Sequence, residues 1–490
     1  MEKRNFIIKM KMKNLNRNTV NTRSYTERII QFGEGNFLRA FANWMIHEMN
    51  KQANFDAGVV AVQPIANGLI KTLNDQDGLY TLYMNGIKNG KVLSERKVVD
   101  CIQRGINPYE DYDAYLENAE NPNLRFVISN TTEAGISYNP EDNLEDAPQA
   151  CFPGKLTALL YKRFHFFNGA SDKGMIVIPC ELIDRNGDNL KKIVLQYATV
   201  WNLDKGFVSW INNDNIFCNT LVDRIVPGYP RNKMDTITKE LGYIDNLVVE
   251  GEQFHLWVIE APESVKNEIP VKNCGLNIVF TNNMEPYRTR KVRILNGAHT
   301  SLVPVSYLYG IDTVRESLED QVVGKFIQDA IFEEICPTLD LPEQELKQFS
   351  NAVLERFRNP YLEHDLISIS LNSISKYKTR VLPSVLEYIK RENALPKHLL
   401  FTLAALIAFY RGDRNGVNIP LKDDQSVLDF FTAQWIALNV KAVAKATLQN
   451  VDFWGQDLTQ FNGLLEEVTI SLKAITKNGM KEALNDFIKY

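Results

Sequence analysis

The chain has 490 residues, enough for two to four domains at roughly 100–200 residues each. Hydrophobic residues make up 44% and charged residues 23%, values that allow a sizeable core, and a net charge of −5 gives no bias toward nucleic acid or a membrane surface. No apolar run approaches the roughly 20 residues needed to cross a bilayer.

Met1 to Arg23 is rich in Lys, Arg and Asn, with Phe6-Ile7-Ile8 as its one short apolar group. A secretory signal needs an apolar stretch of about 7–15 residues. The segment through residue 26 is therefore expected to be a basic extension without fixed structure, and the protein is expected in the cytoplasm. Six cysteines are scattered with no C-x-x-C pair, which predicts reduced thiols. The six histidines are equally dispersed, and no metal is expected.

Arg28-Ile29-Ile30-Gln31-Phe32 reads as a short buried strand ended by Gly33-Glu34-Gly35. An amphipathic helix is predicted next, with Phe37, Phe41, Trp44 and Met45 at helical spacing. Strand, G-x-G turn and helix open a dinucleotide-binding βαβ unit, in which the glycines let the backbone turn sharply and approach a pyrophosphate. Leu38 stands where the usual fingerprint has its third glycine, so a plain structural turn is the competing account. Val59-Val60-Ala61-Val62 is the expected second strand. It ends in Gln63-Pro64, where an NAD enzyme often carries an acidic residue for the ribose hydroxyls.

Arg125 to Asn130 is strand-like and runs into the polar Thr131-Thr132-Glu133-Ala134-Gly135 loop. Ligands gather at such strand ends in open α/β sheets. Phe152-Pro153-Gly154-Lys155 starts a helix, and Gly174 to Cys180 is another buried strand. Asn219 precedes Thr220 to Val226 and Pro227, a pattern that fits a short helix capped by the asparagine and stopped by the proline.

After about Pro286 long amphipathic patterns dominate, including Val322–Ile335, Leu346–Arg358, His398–Phe409, Val427–Ala446 and Leu464–Tyr490. The chain thus divides into an α/β, Rossmann-like domain over 27–286 and a mainly α-helical domain over 287–490. At the start of the second lies Lys291-Val292-Arg293-Ile294-Leu295-Asn296-Gly297-Ala298-His299, a K-x4-N-x2-H pattern. On an α-helix Asn296 falls about 140° round from Lys291 and His299 at about 80°, so all three can project into one cleft. A proton-transfer group and two polar orienters suit chemistry on a hydroxyl or carbonyl. The competing account is a solvated basic face with His299 in the core.

Ile30-Gln31-Phe32-Gly33-Glu34-Gly35-Asn36-Phe37-Leu38-Arg39-Ala40-Phe41, the Asn219-Thr220-Leu221-Val222-Asp223-Arg224-Ile225-Val226-Pro227 segment and the K-x4-N-x2-H element together resemble the mannitol dehydrogenase family of polyol-specific long-chain dehydrogenases. Asp77-Gly78-Leu79-Tyr80-Thr81-Leu82 and Phe152 to Thr157 add to the match. The resemblance implies metal-free, NAD-linked interconversion of a sugar alcohol and a ketose. It implies Lys291 as acid/base, Asn219 and Asn296 as amides that hold an alkoxide, and His299 as a partner of substrate hydroxyls. The residues from Ile30 to Ala40 become the cofactor-binding segment. The wording of that segment, of Pro179 to Gly187 and of Tyr287 to Arg293 is most similar to the branch that acts on uronates. That branch implies reduction of D-tagaturonate to D-altronate in hexuronate catabolism, with fructuronate or mannitol as alternative substrates. A uronate needs a cation for its carboxylate, and Lys376 and Arg380 are candidates, with a solvated basic helix face as the alternative. Arg39 is placed by sequence to meet the pyrophosphate.

Overall fold

The computed structural model describes residues 12–132, 134–362, 364–436 and 439–489. It divides into two compact units, one of residues 1–85 and 93–284 and one of residues 86–92 and 285–490.

The first unit is built on a six-stranded parallel sheet. Its strands are β1 (Glu27–Phe32), β2 (Gly58–Val62), β5 (Ile102–Ile106), β6 (Phe126–Ser129), β7 (Ile176–Pro179) and β8 (Ile216–Phe217), in the order β5-β2-β1-β6-β7-β8. Numbered within the sheet alone this is 3-2-1-4-5-6, the doubly wound dinucleotide-binding order. Both faces are covered, which is why the strands read as unbroken apolar runs. Side chains alternate between two cores, as a strand's period of two requires. Ile29, Val59, Ala61, Phe126 and Ile128 face one core with Leu38 and Met45. Ile30, Phe32, Val60, Val62 and Val127 face the other with Leu156 and Leu190.

The helix expected after the glycine turn is broken at Phe41, whose φ of −123° and ψ of −88° separate α1 (Asn36–Ala40) from α2 (Ala42–Ala53). Two further three-stranded sheets lay outside the sequence reading. One joins β3 (Tyr80–Lys88), β4 (Lys91–Val99) and β10 (Val249–Glu252); the other joins β9 (Asn219–Asp223), β11 (Leu256–Glu260) and β12 (Ile278–Thr281). Asn219 therefore opens a strand and caps no helix, because residues 219–223 pair antiparallel with β11. The helices α3 (Phe152–Phe166) and α4 (Asn186–Val200) complete the βα pattern.

Residues 1–11 of the expected basic extension lie outside the described residues. From residue 12 the expectation of an unstructured segment fails: Leu15 and Tyr25 are buried, the Leu15 amide donates to Ile244 O at 2.8 Å, and the Arg17 guanidinium donates to Ile102 O at 3.1 Å.

The second unit is helical. Its elements include α5 (Gly297–Tyr309), α6 (Glu343–Phe357), α7 (Ser373–Arg380), α8 (Lys397–Phe409) and α9 (Leu464–Asn478). Residues 399–409 of α8 are buried throughout, so this helix is apolar on every side and forms the centre against which α5 and α9 pack. The Leu464–Tyr490 pattern is cut by Gly479 at φ 83°, after which α10 (Met480–Lys489) begins. No helix of the described residues is long and apolar enough to cross a membrane.

Candidate functional site

The first unit contributes the glycine turn at the C-terminal edge of its sheet. Gly33 has φ 106° and donates its amide to Val62 O at 2.9 Å. A Cβ there would lie 2.8 Å from the Asn130 carbonyl oxygen, so a side chain does not fit. Gly35 is different. Its backbone is extended, and an added Cβ would meet no protein atom within 4 Å. One glycine lets the strand ends close; the other leaves bare backbone facing open space, a surface a pyrophosphate can approach.

The rest of the predicted cofactor segment supports this turn from beneath. Ile30, Phe32, Leu38 and Ala40 are core residues. Gln31 is buried, and its Nε2 donates to Gly33 O at 2.8 Å while Asn43 Nδ2 donates to Gln31 Oε1 at 2.6 Å. Phe37 stacks on Phe41 at 4.9 Å. Arg39 must be corrected. Its guanidinium is buried, donates to Glu34 O, Leu247 O and Asn36 Oδ1, and lies over the Tyr80 ring. It is a structural cation pointing into the unit, because four inward partners outcompete the surface.

Two clefts flank the turn. One of about 600 Å³ lies over the ends of β2 and β5, lined by Gln63, Asn67, Gly68, Asn74 and Asn107 among others. The other, about 430 Å³, is lined by Asn130, Thr132, Ala134 and Leu182 at the ends of β6 and β7. Gln63 lines the first cleft with its amide turned back on its own loop, unlike an acidic ribose ligand. Its Nε2 donates to Ile65 O at 2.9 Å and Ala66 O at 3.0 Å, folding its own loop down. Glu34 joins it by accepting from the Leu69 amide at 2.9 Å, and burial raises its carboxyl above the ordinary range.

Asn219 is buried at the start of β9, directly opposite Glu260 on β11. Its Oδ1 accepts from the Asp188 amide at 3.1 Å, and its Nδ2 donates to Glu260 Oε1 at 3.2 Å. The amide is thereby held in one orientation, with a second N–H to offer.

In the second unit Lys291–Asn296 is a π-helix that runs into α5. The α-helical geometry expected for the K-x4-N-x2-H stretch is therefore replaced at its first turn. Bonding from i to i+5 puts Lys291 and Asn296 in neighbouring turns, as residues four apart are in an α-helix. Lys291, Asn296 and His299 are half-buried. The flanking cations point elsewhere: Arg290 pairs with Glu345 and lies over Phe349, and Arg293 donates to Ser384 Oγ at 2.9 Å.

The His299 ring stacks on Phe357 at 4.1 Å and 18°, and His364 meets it edge-on at 5.2 Å. Its Nε2 is buried and has no hydrogen-bond partner among the described residues. Burial, His364 and the cations Arg356, Arg380 and Lys376 hold the imidazole well below its usual pKa, so it is neutral. Lys376 and Arg380 are half-buried on α7, which the second unit draws close: a Cβ on Gly297 would lie 3.2 Å from Arg380 O. Burial lowers the pKa of both, and the Lys376 ammonium donates to Ile369 O at 2.7 Å. Arg356 and His364 went unnoticed in the sequence, where no local pattern sets them apart.

Residues 27–273 match the mannitol dehydrogenase Rossmann domain, and residues 283–476 match the mannitol dehydrogenase C-terminal domain. The chain is 48% identical over 479 residues to an altronate oxidoreductase of Enterobacter sp. (strain 638), covering 96% of this chain and 99% of that one. It is 48% identical over 487 residues to an altronate oxidoreductase of Pectobacterium carotovorum subsp. carotovorum (strain PC1), covering 97% and 100%. Among solved structures, a substrate-free D-sorbitol dehydrogenase superposes with a TM-score of 0.78 at 22% identity, over 94% of this chain and 95% of that one. A Pseudomonas fluorescens mannitol 2-dehydrogenase, in ternary complex with NAD and D-mannitol, gives 0.64 at 21% identity, over 97% and 99%. These two likenesses show a shared fold.

Proposed function

The chain belongs to the mannitol dehydrogenase family, and from that membership we propose that it catalyses the reversible, NADH-dependent reduction of D-tagaturonate to D-altronate in hexuronate catabolism. The observation that carries the substrate is the 48% identity, over almost the whole of both chains, to altronate oxidoreductases. The cations around His299 support a substrate with a carboxylate.

The first unit's residues fit a dinucleotide: an open backbone at Gly35, Gly33 closing the turn, and a cleft on either side. NADH bound there supplies the hydride. The protein's own groups handle the charge that a hydride leaves on the substrate oxygen. Lys291 protonates that oxygen in reduction and removes its proton in oxidation. Asn219 and Asn296 offer N–H groups to it without competing for the proton, a role worth roughly 3–4 kcal/mol per donor. His299, neutral and with its Nε2 unpartnered among the described residues, is set to bond a substrate hydroxyl. Lys376 and Arg380 hold the carboxylate, Arg380 by its planar fork.

Initial rates of NADH oxidation with tagaturonate, fructuronate and fructose test the reading, and tagaturonate is expected to give the highest kcat/KM. Turnover of fructose alone would overturn the uronate assignment. Lys291→Ala is expected to lower turnover about a hundredfold or more with NADH affinity unchanged. Equal activity of that variant would remove the lysine from the mechanism. NADPH in the same assay tests the nucleotide preference.

A further inference from the structure

The Asp184-Arg185-Asn186-Gly187 stretch has no part in the mechanism above, yet it adjoins Asn219. Arg185 adopts φ 50°, a left-handed conformation that a long side chain rarely takes. Asn186 is fully buried. Its Nδ2 donates to Pro179 O and Glu181 O at 3.1 Å each, and its Oδ1 accepts from the Thr220 amide at 2.9 Å. Gly187 passes so close to β9 that a Cβ would lie 2.2 Å from Cys218 O. The turn is thus pinned to the strand that begins at Asn219, and the next amide, Asp188 N–H, fixes the Asn219 oxygen.

The other end of the Asn219 amide is bonded to a carboxylate. Glu260 Oε1 accepts from Asn219 Nδ2 at 3.2 Å, and Glu260 Oε2 accepts from the Met284 amide at 2.8 Å. A bare carboxylate is a poor neighbour for an alkoxide donor. An oxygen bonded to the second N–H would sit about 3 Å from Nδ2, close enough for strong repulsion from Glu260 in a partly desolvated site. The cation paired with Glu260 among the described residues is Arg185, with Nη1 3.1 Å from Oε1. Its Nε and Nη2 are held by Asp188 Oδ2, each at 2.7 Å.

We propose that Arg185, acting through Glu260, is a positioning residue for Asn219. It neutralises the carboxylate that orients the amide, so that the second N–H of Asn219 faces developing negative charge on the substrate oxygen. The inference rests on the hydride-transfer reading above but not on which ketose is reduced. It also gives the strained Arg185 backbone a purpose, because that conformation turns the guanidinium back across the start of α4 toward β11.

The test compares Arg185→Gln, Arg185→Lys, Glu260→Ala and the Arg185→Gln/Glu260→Ala double variant, reading kcat and KM for the ketose and the NADH dissociation constant by fluorescence. Wild-type rates on tagaturonate, fructuronate and fructose are measured first, and the variants are read on whichever ketose the wild type reduces. A different preferred ketose overturns the substrate assignment and leaves this test intact; no turnover of any of them overturns both. Arg185→Gln is expected to lower kcat about 10- to 100-fold with NADH affinity unchanged. Arg185→Lys, which keeps the charge, is expected to retain most of the rate. The double variant is expected to be no slower than Glu260→Ala, since without the carboxylate there is nothing to neutralise. Full activity of Arg185→Gln, equal losses in the Lys and Gln variants, or losses that multiply in the double variant would each overturn the proposal. Arg185 is half exposed, so its single variants are expected to fold, and circular dichroism melting curves check all four.

Discussion

The two glycines of the turn separate a folding role from a binding role, and replacing each with alanine distinguishes them. At Gly33 the added methyl meets two penalties. A φ of 106° costs an L-residue about 1–2 kcal/mol. The Cβ, 2.8 Å from the Asn130 carbonyl oxygen, forces a backbone shift of the kind that costs about 1–3 kcal/mol in a packed site. The sum is about 2–5 kcal/mol, and at about 2–4 °C per kcal/mol for a unit of this size the melting temperature should fall by at least about 4 °C. At Gly35 the backbone is already in a region open to any residue, and the methyl touches no protein atom. Its stability should stay within about 0.5 kcal/mol of wild type. Its NADH dissociation constant should rise at least about tenfold, or about 1.4 kcal/mol, because the methyl occupies the space through which a pyrophosphate would reach the backbone. Thermal unfolding followed by circular dichroism and NADH fluorescence titration read the two effects separately. A Gly35→Ala variant that binds NADH like wild type would refute the placement of the cofactor over Gly35. A Gly33→Ala variant that melts like wild type would refute the steric argument.

Two further outcomes concern titration. Burial pushes the Lys155 ammonium down to about 8, although it donates to Tyr109 Oη and Ala150 O at 3.0 Å each. An unfolded lysine titrates near 10.4, so between about pH 8 and 10.4 the unfolded chain binds more protons and stability rises with pH. The gain, about 3 kcal/mol at full extent, should be seen in urea unfolding of wild type and be missing from Lys155→Met; parallel pH curves would refute it. His299 should stay neutral through the range in which ordinary histidines charge, since burial and neighbouring cations depress it. Its imidazole C–H resonances should show no titration step near pH 6.5, and a step there would show that water reaches the ring.

How far the sequence could be read depended on whether the decisive partners were near in the chain. The parallel sheet was legible because its apolar runs are local and both faces are buried, so Val59 to Val62 carries its own signature. Asn219 was not. Asparagine before a run closed by Pro227 is a sound local cap signal, but residues 219–223 are claimed by β11, whose Glu260 lies 41 positions on. Arg39 fails for the same reason. A cation beside a G-x-G turn suggests a phosphate, whereas one of its acceptors, Leu247 O, lies 208 positions away. Arg185 and Asn186 had a signal, since their stretch was part of the resemblance to the uronate branch, but nothing local tied it to Asn219.

The Lys291 stretch shows a subtler limit. On the ideal α-helix that the spacing predicts, Lys291 and Asn296 stand about 140° apart, within reach of one cleft but not one above the other. The chain instead closes the Gly297 N–H onto Val292 O, five residues back. That wider turn brings residues five apart one above the other. His299, three residues farther on, lies in the α-helix that resumes at Gly297. The one local hint was the glycine itself, which is costly inside a helix and is kept where another backbone must come close. Here that backbone is Arg380 O, and a Cβ would leave it only 3.2 Å away. The same missing side chain therefore admits α7 with Lys376 and Arg380. A π-turn is a less favourable way to continue a helix, and such turns occur mainly where function holds them in place. In this chain the wider turn brings residues 291 and 296 onto one side of the helix, and the glycine beside it lets α7, with its two cations, approach the neutral imidazole. The K-x4-N-x2-H spacing, awkward for an α-helix, is the natural one for a helix with one extra residue in its first turn.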